Sequence, residues 1–216
     1  MKRRFALIVL TLGLIVPGLA ALASPPAPAL QIDAKGSQFQ VFVWKRGLAS
    51  AFAHDHIMGA NDFKGVVEFD RAKPSQSKVY LRIPAAKLQE QKSKMSAEDV
   101  KTVKKHMDED VLEVSKFPSI IFRSSKVVVV KTVKATASEP GNLQLKVTGE
   151  LDLHGQKHEK TLDVMLVEKA GQLTVTGECK LRQTEYGITP FSAFLGAVGV
   201  KDVVDLKFRI LTKSRK

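Results

Sequence analysis

The stretch "AFAHDHIMG", residues 51–59, carries two of the chain's five histidines, His54 and His56, on either side of Asp55. Imidazoles two residues apart share one face of a β-strand, with the intervening aspartate opposite. On such a face they would supply two of the three or four ligands that zinc requires, with His154 and His158 as the source of the rest. At the mouth of a cavity the same pair would donate hydrogen bonds to a ligand's head group, and protonation near pH ~6.5 would strengthen a contact with phosphate. A structural role, with one imidazole on a backbone carbonyl and the other in solvent, needs no further partner. The chemistry of metals and hydrolysis has little other support. The chain contains no His-Glu-x-x-His and no Gly-x-Ser-x-Gly elbow. Its one cysteine, Cys179, shares a face with Leu173, Val175 and Leu181 and reads as a small core residue. No catalytic residue, metal set or cofactor is therefore assigned. A small metal-binding or hydrolytic protein centred on His54 and His56 stands as the alternative to the binding function reached below.

The elements that would position these residues are mostly strands. In "SQFQVFVWK", Phe39, Val41 and Val43 face one way and Gln38, Gln40, Phe42 and Trp44 the other. Phe63, Gly65, Val67 and Phe69 share a face, as do Val79, Leu81 and Ile83. Leu143, Leu145, Val147, Leu151 and Leu153 hold one parity past Gly149, where a strongly curved strand needs a kink. This period of two marks strands with one buried face. "ASEPGN" and "AGQ" read as turns, and "HGQKHEK" as a hairpin loop. The last strand alternates Val204, Leu206, Phe208 and Ile210 with polar residues. One segment differs: from Ser96, Val100, Val103 and Met107 recur at helical spacing, with Asp99 placed to complete a cap at Ser96. About eight antiparallel strands and one amphipathic crossover helix predict an all-β, lipocalin-like barrel, the size that holds one small ligand.

The N-terminus predicts export. "MKRR" precedes an uncharged run ending in Ala21-Leu22-Ala23, the pattern of a cleaved signal peptide over residues 1–23. A Pro-rich leader is expected over 24–35 and a single domain over 36–213. The formal charge is +12, and losing Lys2, Arg3 and Arg4 leaves 31 basic against 22 acidic side chains, or +9. A basic exported protein suits transient contact with an anionic membrane surface. It does not suit nucleic acid, because no basic run is interleaved with aromatics.

Several segments together resemble the YceI-like family of secreted, lipocalin-like barrels associated with polyisoprenoid binding. "FKGVVEFD" (63–70) is similar to the family's early Phe-x-Gly strand. "VSKFPSIIFRSSKV" (114–127) is similar to its aromatic-Pro-x-Ile-x-Phe-x-Ser segment after the helix. "VTGELDLHGQKHEKTLDV" (147–164) resembles its Gly-x-Leu-x-Leu-x-Gly hairpin, "LRQTEYGI" (181–188) its Arg-x-x-aromatic-Gly loop, and "VKDVVDLKFRI" (200–210) its closing strand. Tyr186 stands where phenylalanine is usual in that loop. The resemblance implies an elongated barrel around a hydrophobic tunnel, a long-chain isoprenoid or related amphiphile as ligand, no catalysis, and a place in the periplasm or outside the cell. On that basis the apolar faces nominate Phe39, Val41, Val43, Phe63, Val67, Phe122, Leu151, Leu153 and Leu206 as tunnel lining. His54 and His56 would stand at the mouth. Arg182 and Tyr186 would form a structural or mouth-forming pair in the family-like loop.

Overall fold

The computed structural model describes residues 29–47, 55–91 and 95–213. The expected signal peptide and His54 lie outside the described residues. The elements run, in chain order, β1 (Ala29–Gln31), β2 (Gln38–Val43), β3 (Lys45–Arg46), β4 (His56–Gly59), β5 (Lys64–Glu68), β6 (Lys78–Pro84), β7 (Gln89–Glu90), α1 (Ala97–His106), β8 (Ser119–Val133), β9 (Asn142–Leu153), β10 (Gln156–Lys169), β11 (Gln172–Arg182), β12 (Ser192–Ala193), β13 (Val198–Val200) and β14 (Val203–Leu211). Eleven of the strands form one antiparallel sheet, strongly curled into a half-barrel, in the order β1-β5-β6-β8-β9-β10-β11-β14-β2-β4-β7. A second sheet of three short strands, β12-β13-β3, extends the β2 and β14 walls at one end.

The strand count of the main sheet exceeds the eight expected because two- to four-residue strands at its edges carry too few residues to show alternation. One of these, β1, corrects the expected leader. Leu30 and Ile32 are buried, β1 pairs with β5, and Ile32 bridges Thr212. The Asp33 N–H donates to Leu211 O at 2.8 Å and the Lys213 N–H to Gln31 O at 2.7 Å. Residues 29–35 therefore stitch the first strand toward the last and belong to the folded unit. The hydrogen-bonding potential of an edge is satisfied this way rather than left open.

Curvature comes from the long middle strands. Gly149 faces Ser124 where the β8–β9 register shifts by one residue. A Cβ at Gly149 would sit 2.3 Å from the Arg123 carbonyl oxygen and 2.8 Å from the Phe122 ring. Glycine and bulge together let the sheet bend at that point. The β9–β10 connection is tighter than the expected loop. It is a two-residue turn, His154 (φ 53°) and Gly155 (φ 72°), which matches the twist of the flanking strands. Gln156 through Lys160, read in the sequence as loop, instead continue the ladder.

The helix starts where its cap predicts. The Ser96 hydroxyl oxygen accepts the Asp99 N–H at 3.1 Å, and Glu98 and Asp99 sit in the first turn where the helix dipole favours them. After His106 the chain widens into a π turn, Met107–Val111. That turn delivers Met107, Val111 and Leu112 onto the open end of the half-barrel. The following segment seats Phe117 against the β9–β10 turn, its ring centroid 4.2 Å from that of His154.

Candidate functional site

The inward residues do not fill the half-barrel. They surround a cavity of about 240 Å³. Strand parity builds its wall: Phe39, Val41 and Val43 from β2, Val79, Leu81 and Ile83 from β6, and Leu162 and Val164 from β10. The lining is apolar except for Lys160, Cys179 and Gln183. Burial pushes the Cys179 thiol up, and the nearby Lys160 ammonium partly offsets that rise.

Eight of the nominated residues, Phe39, Val41, Val43, Val67, Phe122, Leu151, Leu153 and Leu206, face this cavity. Phe63 does not line it. Phe63 is 3 % exposed and packs in the core with its ring centroid 6.4 Å from that of Phe39. It immediately precedes β5 and packs in the main core cluster rather than on the cavity. Met107, Val111 and Leu112 also line it, and the helical spacing that reaches Met107 is the sequence signal for their contribution.

The histidine motif is only partly described, and His56 opens β4. Its Nδ1 lies 3.0 Å from Glu90 Oε2 of β7, and Glu90 Oε1 accepts the Ile57 N–H at 3.2 Å. Glu90 is a nearly buried carboxylate, with a side chain 4 % exposed. A smaller cavity of about 140 Å³ lies beside His56, His106 and Phe191. It shares Val43, Met58, Met107, Val111 and Gln183 with the main one. His56 thus borders the helix end of the cavity system.

Of the other histidines, His106 borders the smaller cavity with His56, whereas His154 and His158 do not line it. His106 Nδ1 lies 2.7 Å from Asp110 Oδ2 on the exposed helix face. His154 Nδ1 contacts the Tyr186 carbonyl oxygen at 3.2 Å. His154 Nε2 lies 3.1 Å from Glu113 Oε2, close enough for attraction but off the line of a hydrogen bond. Glu113 is held below the usual carboxylate range, chiefly by the Lys116 ammonium. His158 sits in β10 rather than a loop and meets the Tyr186 ring edge-on at 5.0 Å. Among the described residues, no three His, Cys, Asp or Glu side chains come together as a metal-ligand set.

Arg182 and Tyr186 do not line either cavity. Arg182 Nη1 lies 3.2 Å from Asp202 Oδ2. Asp202 also accepts the Thr184 N–H at 2.9 Å and the Thr184 hydroxyl at 2.8 Å. These bonds, the backbone one foremost, hold the Asp202 carboxyl below its ordinary range. The pair therefore pins the turn after β11. Tyr186 is 1 % exposed and packs with Leu153, Leu181 and Ile188 in a second core cluster, where burial pushes its phenol up. Between the two, Gln183 borders both cavities.

Comparison with known proteins agrees with this architecture. Residues 30–211 match the YceI-like domain. The fold is similar to that of BcnA from Burkholderia cenocepacia, at 18 % identity over 84 % of this chain and 99 % of that one, with a TM-score of 0.63. It is also similar to a polyisoprenoid binding domain from Saccharophagus degradans implicated in plant cell wall breakdown. That match has 12 % identity over 86 % and 98 % of the two chains and a TM-score of 0.61. A variant of the Campylobacter jejuni YceI protein aligns at 18 % identity over 73 % and 85 %, with a TM-score of 0.51. No curated protein sequence matches the chain. With the domain match covering the half-barrel from its first strand to its last, the chain belongs to the YceI-like family.

Proposed function

We propose that this protein binds and carries a long-chain isoprenoid or a related amphiphilic lipid in the half-barrel cavity, without catalysis. The observation that carries the reading is the cavity itself, a 240 Å³ space whose wall is apolar apart from three side chains. Water gains little in such a space, whereas each methylene leaving water contributes about 0.8 kcal/mol. One five-carbon isoprene unit therefore offers roughly 3–4 kcal/mol before ordering costs. An exposed ion pair at the mouth offers only about 0–1 kcal/mol. The tail supplies affinity and the head group supplies selection. The signal-like sequence of residues 1–23 supports a site of action in the cell envelope or outside the cell, where a poorly soluble lipid needs a carrier between membranes. Equilibrium titration with a solubilised isoprenoid, followed by size exclusion, tests the reading directly. A stoichiometric complex that co-elutes with the protein is expected, and titration without saturation would refute it.

A further inference from the structure

The seam between β10 and β11 is closed along only part of its length. Ladder pairs run from Lys169 opposite Gln172 to Asp163 opposite Glu178, and stop there. Beyond that point Leu162 back to Gln156 pair with β9, while Cys179 to Arg182 pair with β14. The two strands part toward the helix end. The gap is bounded on its far side by the turn after β11, where the Tyr186 ring meets His158 and the Tyr186 carbonyl oxygen meets His154 Nδ1. The result is a stretch of barrel wall without β10–β11 pairing, a window between the two backbones.

All three polar lining residues of the cavity belong to the strands or turn around this window: Lys160 on β10, Cys179 on β11 and Gln183 just after it. Lys160 shares its parity with Leu162 and Val164, so its stem points inward where an apolar residue would continue the wall. Its partner across the β9–β10 ladder is Gly149, which has no side chain to crowd it. Lys160 is half-buried, and among the described residues its ammonium takes part in no ion pair. Its charge nonetheless reaches the Cys179 thiol on the other side of the window. A cation in apolar surroundings is costly unless an anion completes it, and a lysine stem readily lies along apolar surface while its head stays near water.

We propose that Lys160 selects the ligand's head group, so that the amphiphile carried in the cavity is an anionic one, with its phosphate or carboxylate at the β10–β11 window. This rests on the cavity being a lipid site, as proposed above. It moves the selecting contact from His56, which is already engaged by Glu90, to a cation with no ion-pair partner among the described residues. Charge-assisted contacts of this kind are stronger than neutral ones.

The test compares farnesol, farnesyl monophosphate and palmitate by calorimetric titration against wild type, Lys160→Gln and Lys160→Arg. Wild type is expected to bind both anions at least about tenfold more tightly than the alcohol. Lys160→Gln should bring the phosphate-to-alcohol ratio near one by weakening the anions far more than farnesol, and Lys160→Arg should restore the preference. Cys179, the single cysteine, gives a second readout, since bound farnesyl monophosphate should slow its alkylation by N-ethylmaleimide. A preference unchanged in Lys160→Gln, or an equal loss for alcohol and anion, overturns the assignment. Equal wild-type affinity for all three probes overturns it while leaving the lipid-binding reading intact. A cavity that takes none of them refutes both. Binding of farnesyl monophosphate but not palmitate supports the assignment and restricts the head group to phosphate.

Discussion

The two ends of the β10–β11 seam follow different rules. At the far end, paired strands press Leu166 and Leu173 into a closed core, with Leu173 fully buried. At the helix end the strands separate, and the wall must be completed by other means: the Tyr186 turn, the Met107–Val111 π turn and, in the reading offered here, a bound amphiphile. The closed end holds the fold together. The parted end is where a partly polar rim meets an otherwise dry cavity. A single pair of strands thus contributes both to the closed core and to the polar rim of the cavity, because hydrogen-bonded pairing ends midway.

The largest effect that would sharpen this contrast is on stability. Leu173→Ala at the closed end should cost about 2–5 kcal/mol, because a fully buried leucine leaves a cavity behind. Leu181→Ala, which already borders empty space, should cost less than half as much. Denaturant unfolding of both variants measures the difference, and equal costs would erase the contrast.

Next comes binding. Val175→Phe places a ring into the cavity from β11 and should reduce isoprenoid affinity by at least about tenfold, the equivalent of losing part of one isoprene unit's burial. Its melting temperature should stay close to wild type, since the added volume enters free space. A strongly destabilised variant would mean that the space is not available to a guest. By comparison, Gly149→Ala forces a Cβ to within 2.3 Å of the Arg123 carbonyl oxygen and 2.8 Å of the lining Phe122 ring and should cost about 1–3 kcal/mol in unfolding free energy.

The smallest effect concerns the turn that bounds the window. The Asp202 carboxyl has a folded-state pKa below its unfolded value. Its contribution to stability is thus present above the ordinary carboxylate range and is lost as pH falls through the lower, folded pKa. Asp202→Asn should lower the melting temperature slightly at neutral pH and converge with wild type in acid. Parallel melting curves across that range would remove the ion pair from the account.

Much of the wall was legible in the sequence because alternation is a local signal. The faces carried by Phe39, Val41 and Val43, by Val79, Leu81 and Ile83, and by Leu143 through Leu153 needed only a count of two. The Ser96 cap was equally local. Other features depend on contacts that no local pattern encodes. Glu90 meets His56 across 34 residues, from a two-residue strand too short to show a period. Lys160 sits in a run of charged residues that reads as solvated loop, and only the two-residue His154–Gly155 turn extends β10 far enough to aim it inward. Phe63 shows the converse limit, in which parity does not separate the core from the cavity lining. In the loop that the sequence marks by Arg182 and Tyr186, those two side chains lie outside both cavities, and Gln183 between them reaches the lining.

The most direct test of the central claim is mass spectrometry of the protein purified from its own host without detergent, under native and then denaturing conditions. The account predicts a hydrophobic molecule with an acidic head group, released on denaturation at near-stoichiometric amounts. A protein recovered empty, and still empty after incubation with host lipid extract, would contradict it.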